Sequence, residues 1–125
     1  MKTFFISFDY DDRQVVGTLN NWLNQGLSKE YKFVYETQDL RHKGRPEVEK
    51  YLKGLIDSAD AIVIAIGTNT HNHWWVEWEY NYAQNMKKKV LVFQIAGTTG
   101  GPLRLLGNIT PPVLTLDNFK KQILG

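Results

Sequence analysis

The chain of 125 residues contains no cysteine. This absence excludes disulfide bonds, thiolate nucleophiles and cysteine-ligated zinc, and it is typical of the reducing cytoplasm, where we expect the protein to be located. No apolar run approaches the length needed to span a bilayer, so we expect no membrane association. The first residues lead directly into a predicted strand rather than into a cleavable signal.

A strong charge of either sign is also lacking. Fifteen lysines and arginines stand against thirteen aspartates and glutamates, for a net charge of +2. This charge is too small to indicate nucleic-acid binding, and we expect no nucleic-acid partner. The one basic run, Lys87 to Lys89, closes a predicted helix, where cations match the negative end of the helix dipole.

Several catalytic motifs are missing. The sequence has no GxxxxGK[ST] phosphate loop and no Gly-x-Ser-x-Gly elbow, which argues against P-loop nucleoside triphosphatases and serine hydrolases. A response-regulator receiver needs an aspartate after its third strand, where this chain has Gly67. His71 and His73 stand in a predicted loop without a third ligand in view, so we interpret them as solvated and predict no metal site.

Apolar segments alternate with amphipathic ones along the whole chain, which predicts one α/β domain over residues 1–125. The run at 61–66, AIVIAI, has no polar alternation and is typical of a strand buried on both faces of a parallel sheet. We predict a flavodoxin-like three-layer sandwich with a parallel sheet of four to five strands. The strands are expected at 2–8, 32–35, 61–66 and 90–95, with a short last one at 113–116.

The helices are predicted from their apolar spacing and end signals. They are expected from the aspartates at 9–12 to Gly26, from Pro46 to Ala59, from Trp74 to Met86, and at 119–124. The first should bury Val16, Leu19 and Leu23, and the second Val48, Leu52, Leu55, Ile56 and Ala59. In the first strand, Phe4, Ile6 and Phe8 should face one side, and Phe5 and Ser7 the other. We interpret the polar segment 36–45 as a loop that folds over the site.

Glu79 is the candidate site residue. It follows the central strand, a polar loop and the first turn of a helix, which places it near the carboxyl edge of the sheet, where such folds bind ligands. Trp75 is its i, i+4 neighbour, so an indole lies beside the carboxylate and offers a wall for a ribose with a flat base. Residue types alone favour a solvated glutamate on a helix with core tryptophans. Glu77 lies about 200° away from Glu79 around the helix axis. It is therefore the internal control for a glutamate in the same motif that faces away from the site.

A resemblance adds to this interpretation. The segment Gly67-x-x-Thr70-x-x-x-Trp74-Trp75-Val76-x-Trp78-Glu79 resembles the signature of the TIR-like proteins of the Thoeris anti-phage system, bacterial relatives of Toll/interleukin-receptor domains. FFISFDYDD, at 4–12, resembles the first TIR box. IDSADAIVIAIG, at 56–67, resembles the helix and strand that precede the catalytic helix. His73 departs from the pattern, which has a small polar residue there.

The resemblance implies an enzyme that takes NAD as substrate rather than as cofactor. Such enzymes release nicotinamide and make an ADP-ribose-derived signal, often cyclic, which acts on a separate effector protein. The family's catalytic glutamate maps onto Glu79, and its first box places Ser7, Phe8 and Asp9 at the mouth of the pocket. Trp75 or Phe8 would stack on a base. Two alternatives stay open: Phe8 could instead pack in the core, and Ser7 could be a small polar residue at a strand end rather than a substrate contact.

A lone carboxylate suits this chemistry. An ordinary glycosidase needs a second carboxyl group as the acid that protonates its leaving oxygen. The nicotinamide of NAD is already cationic and leaves neutral, so no acid is required. A negative charge about 3 Å from the developing ribosyl cation then stabilises the transition state. Hence one carboxylate, that of Glu79, would suffice to cleave the bond between nicotinamide and ribose.

Two other functions remain open at this stage. TIR domains also self-associate, so the chain could be a non-catalytic interaction module in which the tryptophans anchor an interface. A nucleoside deoxyribosyltransferase is the second, because that class shares the sheet topology and uses a glutamate on ribose as a covalent nucleophile. Its sequence pattern lacks the tryptophan motif seen here.

Overall fold

Four parallel strands form the centre of the protein. A computed structural model describes residues 2–9, 12–26, 29–35, 43–67, 74–98 and 111–124. The elements, in chain order, are β1 (Lys2–Phe8), α1 (Val15–Asn24), β2 (Tyr31–Tyr35), α2 (Arg45–Asp57), β3 (Ala61–Ile66), α3 (Trp74–Asn85), β4 (Lys89–Gln94) and α4 (Leu116–Leu124).

The sheet has the strand order β2-β1-β3-β4, and every pairing is parallel. The predicted α/β class and parallel sheet are therefore confirmed. Within the described residues the expected last strand is reduced to a single parallel bridge between Gln94 and Val113. That prediction was wrong in extent, because α4 begins at Leu116, inside the segment we assigned to the strand.

The sheet separates two apolar cores. Phe4, Ile6 and Phe8 face α1 and α4, whereas Phe5 lies with the buried side chains of α2 and α3. The predicted alternation in β1 is thereby confirmed. In β3, the alanines and the valine face the first core and the three isoleucines face the second: Ala61, Val63 and Ala65 against Ile62, Ile64 and Ile66.

The helices bury nearly the predicted stripes. In α2 the buried residues are Val48, Leu52 and Ile56, as predicted, while Leu55 is only partly buried. In α1 the buried stripe is Val15, Leu19 and Trp22, because the helix is rotated slightly from the predicted face. Val16 and Leu23 pack at the margin of that core.

The helix ends follow local signals in most cases. Gly26 lies just past α1 with φ of 121°, a conformation that favours glycine. Pro46 occupies the first turn of α2, where its missing amide hydrogen costs nothing. No aspartate caps α1, which begins after Gln14 without a side-chain cap. Within the described ranges, every helix is too short or too polar to cross a bilayer.

Candidate active site

The candidate site is built around a hydrogen bond between β1 and α3. The Ser7 hydroxyl donates to Oε1 of Glu79 over 3.0 Å, and the two residues are 72 positions apart in sequence. Ser7 is 2% exposed and Glu79 is not exposed at all. The pairing of Ser7 with Ile64 in β3 brings this end of β1 beneath the helix that follows β3. The topology thus delivers a hydroxyl to the carboxylate.

Glu79 occupies a core position of its helix. The buried residues of α3 are Trp75, Val76, Glu79 and Ala83, which is one continuous face. A solvated glutamate, the arrangement that residue types alone favoured, is therefore not what the fold contains. Desolvating a carboxyl group is costly, and the one hydrogen bond from Ser7 offsets only part of that cost, so this residue lowers stability relative to a well-packed apolar one. A costly group in a core face points to a role in function.

Glu77 behaves as the internal control should. It lies two positions before Glu79 in the same helix and is only partly buried. The two glutamates share sequence context and helix, but the sheet covers only one of them. A comparison of Glu77 and Glu79 therefore separates the effect of position from the effect of charge.

Trp75 lies in the core between α3 and the sheet. It is 7% exposed and belongs to the apolar cluster that contains Phe5 and Ile64. Its ring meets that of Trp74 edge-on, with centroids 6.1 Å apart. Trp75 is one helical turn before Glu79, so the predicted indole and carboxylate do share a face.

A second buried contact joins the ends of β1 and β3. The carboxylate of Asp12 lies directly against Gly67, so that a β-carbon at Gly67 would be 1.8 Å from Oδ2 of Asp12. Asp12 is held in a turn in which its amide donates to the Asp9 carbonyl over 2.7 Å. No side chain fits at position 67 while Asp12 stays in place. Sequence reasoning missed this contact.

Asp9 is also buried at this edge, with 1% exposure. It follows the last residue of β1, as the first-box resemblance implies, and the structure therefore groups Ser7 and Asp9 at the carboxyl end of this strand. Phe8 is placed differently. It is buried in the core formed with α1 and α4, on the face of the sheet opposite Glu79, so it packs there and does not meet the carboxylate.

Polar groups at the end of β4 and in the turn after it support the carboxyl end of β3. The side-chain amide of Gln94 donates to the Ile66 carbonyl over 3.1 Å, and the Ile95 amide donates to the same oxygen over 2.9 Å. The Thr98 hydroxyl donates to the Ile95 carbonyl over 2.6 Å. These bonds fix the end of the central strand immediately before Gly67.

Aromatic contacts hold α3 against α2. Within α3, the rings of Trp78 and Tyr82 stack with centroids 5.2 Å apart and planes 5° from parallel, and Tyr82 in turn contacts α2. The Tyr82 hydroxyl donates to Asp57 over 2.8 Å, and this hydrogen bond raises the pKa of the Tyr82 phenol. At the start of both helices, the Arg45 guanidinium lies 4.5 Å from the centre of the Trp74 ring. These contacts orient α3 so that Glu79 points to the sheet.

Several predicted features fall outside the described residues. These are Tyr10 and Asp11, most of the loop at 36–45, and the loop at 68–73 with both of its histidines. Within the described part of the chain, no group of three or more histidine, aspartate or glutamate side chains is arranged to hold a metal ion.

Comparison with solved structures gives the class of the fold. The TIR domains in the structure of the activated Roq1 resistosome directly recognizing the pathogen effector XopQ match 77% of this chain and 58% of that one. The TM-score is 0.52 with 14% identical residues, so the likeness concerns the fold alone. The parallel sheet and its flanking helices are those of a TIR domain.

Comparison of sequences gives the family. The family described as "Thoeris protein ThsB, TIR-like domain" matches residues 5–100, and the chain belongs to it. A curated relative, the "Probable 3' cyclic ADP-D-ribose synthase ThsB'" of Bacillus cereus (strain MSX-D12), is 26% identical over 92 residues. The match covers 73% of this chain and 48% of the relative, so the chain spans about half the length of that protein.

Proposed function

We propose that this protein cleaves NAD between nicotinamide and ribose and converts the remainder into a cyclic ADP-ribose-derived signal, by analogy with the relative's name. The observation that carries the proposal is the wholly buried Glu79, hydrogen-bonded to Ser7 at the carboxyl edge of the sheet. The family membership and the name of the curated relative support the same reaction.

The proposed chemistry needs one carboxylate. The bond between C1 of the ribose and the nicotinamide nitrogen breaks, and its electron pair neutralises the pyridinium ring as nicotinamide leaves. Glu79 stabilises the positive charge that develops on the ribose, and a preorganised charge does this best away from water. A nucleophile within the same ADP-ribose then attacks C1 and releases a proton, which closes the ring.

Burial of the site favours ring closure over hydrolysis. Water competes with the internal nucleophile for the ribosyl cation, so a cyclising site must keep water away. Glu79 has no exposed surface, and Ser7 and Asp9 beside the same strand end are nearly as well covered. NAD therefore reaches the carboxylate only after a rearrangement around Glu79.

Other residues have supporting roles in this proposal. Trp75 is one turn from Glu79 and supplies a flat wall for a base, and Asp9 borders the entrance from β1. NAD serves as the substrate, and no metal or resident cofactor is required by the chemistry. We further propose that the product acts on a separate effector protein in anti-phage defence in the cytoplasm.

The proposal is tested by nicotinamide release from NAD by the wild type, Glu79→Gln and Glu77→Gln. We expect the wild type and Glu77→Gln to release nicotinamide, and Glu79→Gln to release it at least about 100-fold more slowly. Mass spectrometry of cells with and without phage infection identifies the product and shows whether infection triggers its formation. An active Glu79→Gln variant would overturn the assignment, and base exchange between nucleosides without NAD turnover would favour a deoxyribosyltransferase.

A further inference from the structure

We propose that Ser7 is a positioning residue, which holds the carboxylate of Glu79 in its reactive orientation and does not itself bind substrate. The inference rests on the proposed function, because it assigns a task to the partner of the proposed catalytic group. It differs from the role that the family resemblance implied, which put Ser7 at the mouth of the pocket, where it would contact the substrate.

The hydrogen bond itself argues for this role. A serine hydroxyl carries one proton, and the Ser7 proton is donated to Oε1 of Glu79 over 3.0 Å. Ser7 therefore cannot donate to a ribose hydroxyl while it holds the carboxylate. Both groups of this bond are buried, so water does not compete with Ser7 for Oε1.

The surroundings of Ser7 leave little surface for substrate. The residue is 2% exposed, and its register partner in β3 is the fully buried Ile64. Phe5, two residues earlier on the same face, is fully buried as well. Ser7 thus lies in an apolar layer beneath Glu79, and its hydroxyl is held there by the hydrogen bond to the carboxylate.

The backbone around Ser7 is suited to positioning. β1 pairs with β2 on one side and with β3 on the other, and Ser7 lies in the part of the strand that pairs with β3. A side chain with a single χ angle on an interior strand has few alternative positions. A donor on such a rigid element fixes the orientation of a catalytic group better than a donor on a loop does.

The first experiment separates positioning from substrate contact by steady-state kinetics of nicotinamide release. We expect Ser7→Ala to lower kcat about 10- to 100-fold, with KM changed less than about twofold, because only the orientation of Glu79 is lost. Ser7→Thr keeps the hydroxyl and should restore most of kcat. Ser58→Ala, which removes an exposed serine hydroxyl just after the end of α2, is the matched control and should behave as the wild type.

A second experiment does not depend on turnover. NAD affinity is measured by titration calorimetry for Glu79→Gln with and without Ser7→Ala, after thermal melts show that both variants are folded. If Ser7 acts through Glu79, the added change alters the dissociation constant less than about twofold. A loss of about tenfold would identify Ser7 as a substrate contact and overturn the proposal.

The outcomes also distinguish this inference from the proposed function. An inactive Glu79→Gln together with a fully active Ser7→Ala overturns the positioning role alone. A raised KM in Ser7→Ala with kcat retained does the same. An active Glu79→Gln overturns the site assignment, and the positioning role fails with it.

Discussion

The two faces of the sheet are built from the same four strands but carry different kinds of side chain. On the face of α1 and α4, Phe119 packs against the rings of Phe4, Trp22, Phe33 and Phe93. On the face of α2 and α3, the isoleucines of β3 give way at the carboxyl edge to Ser7 and Glu79. The first face stabilises the fold, whereas the second face is less stabilising because it buries the carboxyl group of Glu79. The predictions below change one face at a time.

The largest effect on activity is expected from Glu79→Gln on the polar face. We expect nicotinamide release to fall by about 100- to 1,000-fold or more, because the amide carries no charge to oppose the ribosyl cation. Thermal unfolding should be unchanged or shifted slightly upward, because a buried charge is removed at constant volume. A large loss of stability in this variant would contradict the assignment of Glu79 to function.

The largest effect on stability is expected from Phe119→Ala on the aromatic face. Phe119 is fully buried and meets four other rings, so its loss leaves a cavity and should lower the free energy of unfolding by ~3–5 kcal/mol. Urea denaturation measures this change. In the remaining folded protein kcat should be near that of the wild type, and a specific loss of kcat would show that the two faces are not independent.

A smaller effect is expected where the ends of β1 and β3 meet. Gly67→Ala should lower the free energy of unfolding by ~1–3 kcal/mol, because the new methyl group overlaps the carboxylate of Asp12. Adding Asp12→Gly should return much of this loss, since the space is then vacant. A double-mutant cycle measures the coupling, and strictly additive costs would contradict the contact.

The smallest effect concerns Tyr35 in β2, whose hydroxyl donates to Asn20 over 2.9 Å. Burial raises the pKa of the Tyr35 phenol from 10.0 to about 12. Below pH 10 the phenol is neutral in both states, but between about pH 10 and 12 it ionises first in the unfolded chain, which lowers stability. Tyr35→Phe should therefore lose less stability than the wild type as the pH rises from 10.0 to about 12 in denaturant titrations, and equal losses would contradict the shift.

Local sequence patterns predicted much of this molecule. The apolar runs of β1 and β3 reflect burial on both faces, so the strands could be predicted from residue types, and the alternation of side chains along a strand then assigned the two faces. The position of Glu79 followed from the order strand, loop and helix, which fixes where a parallel sheet opens. The role of each residue at the site stays a prediction, because no local pattern specifies chemistry.

What the sequence did not predict depends on contacts between distant segments. The fit of Asp12 against Gly67 becomes visible only when β1 and β3 are paired, although an acidic turn and a glycine at adjacent strand ends were the available signal. The slight rotation of α1 reflects packing of Trp22 on Phe119 in a helix at the far end of the chain. The expected last strand is likewise limited by tertiary packing: it forms a single bridge at Val113, and α4 begins already at Leu116.

The 72-residue separation between the serine and glutamate of the site ties activity to the completion of folding. During synthesis, β1 with Ser7 leaves the ribosome long before α3 with Glu79 is made, so the hydrogen bond between them forms late. A truncated or misfolded copy has no assembled centre, so it would be harmless to the host's pool of dinucleotide. For an enzyme proposed to consume an essential metabolite, this dependence on the finished tertiary structure is a form of protection.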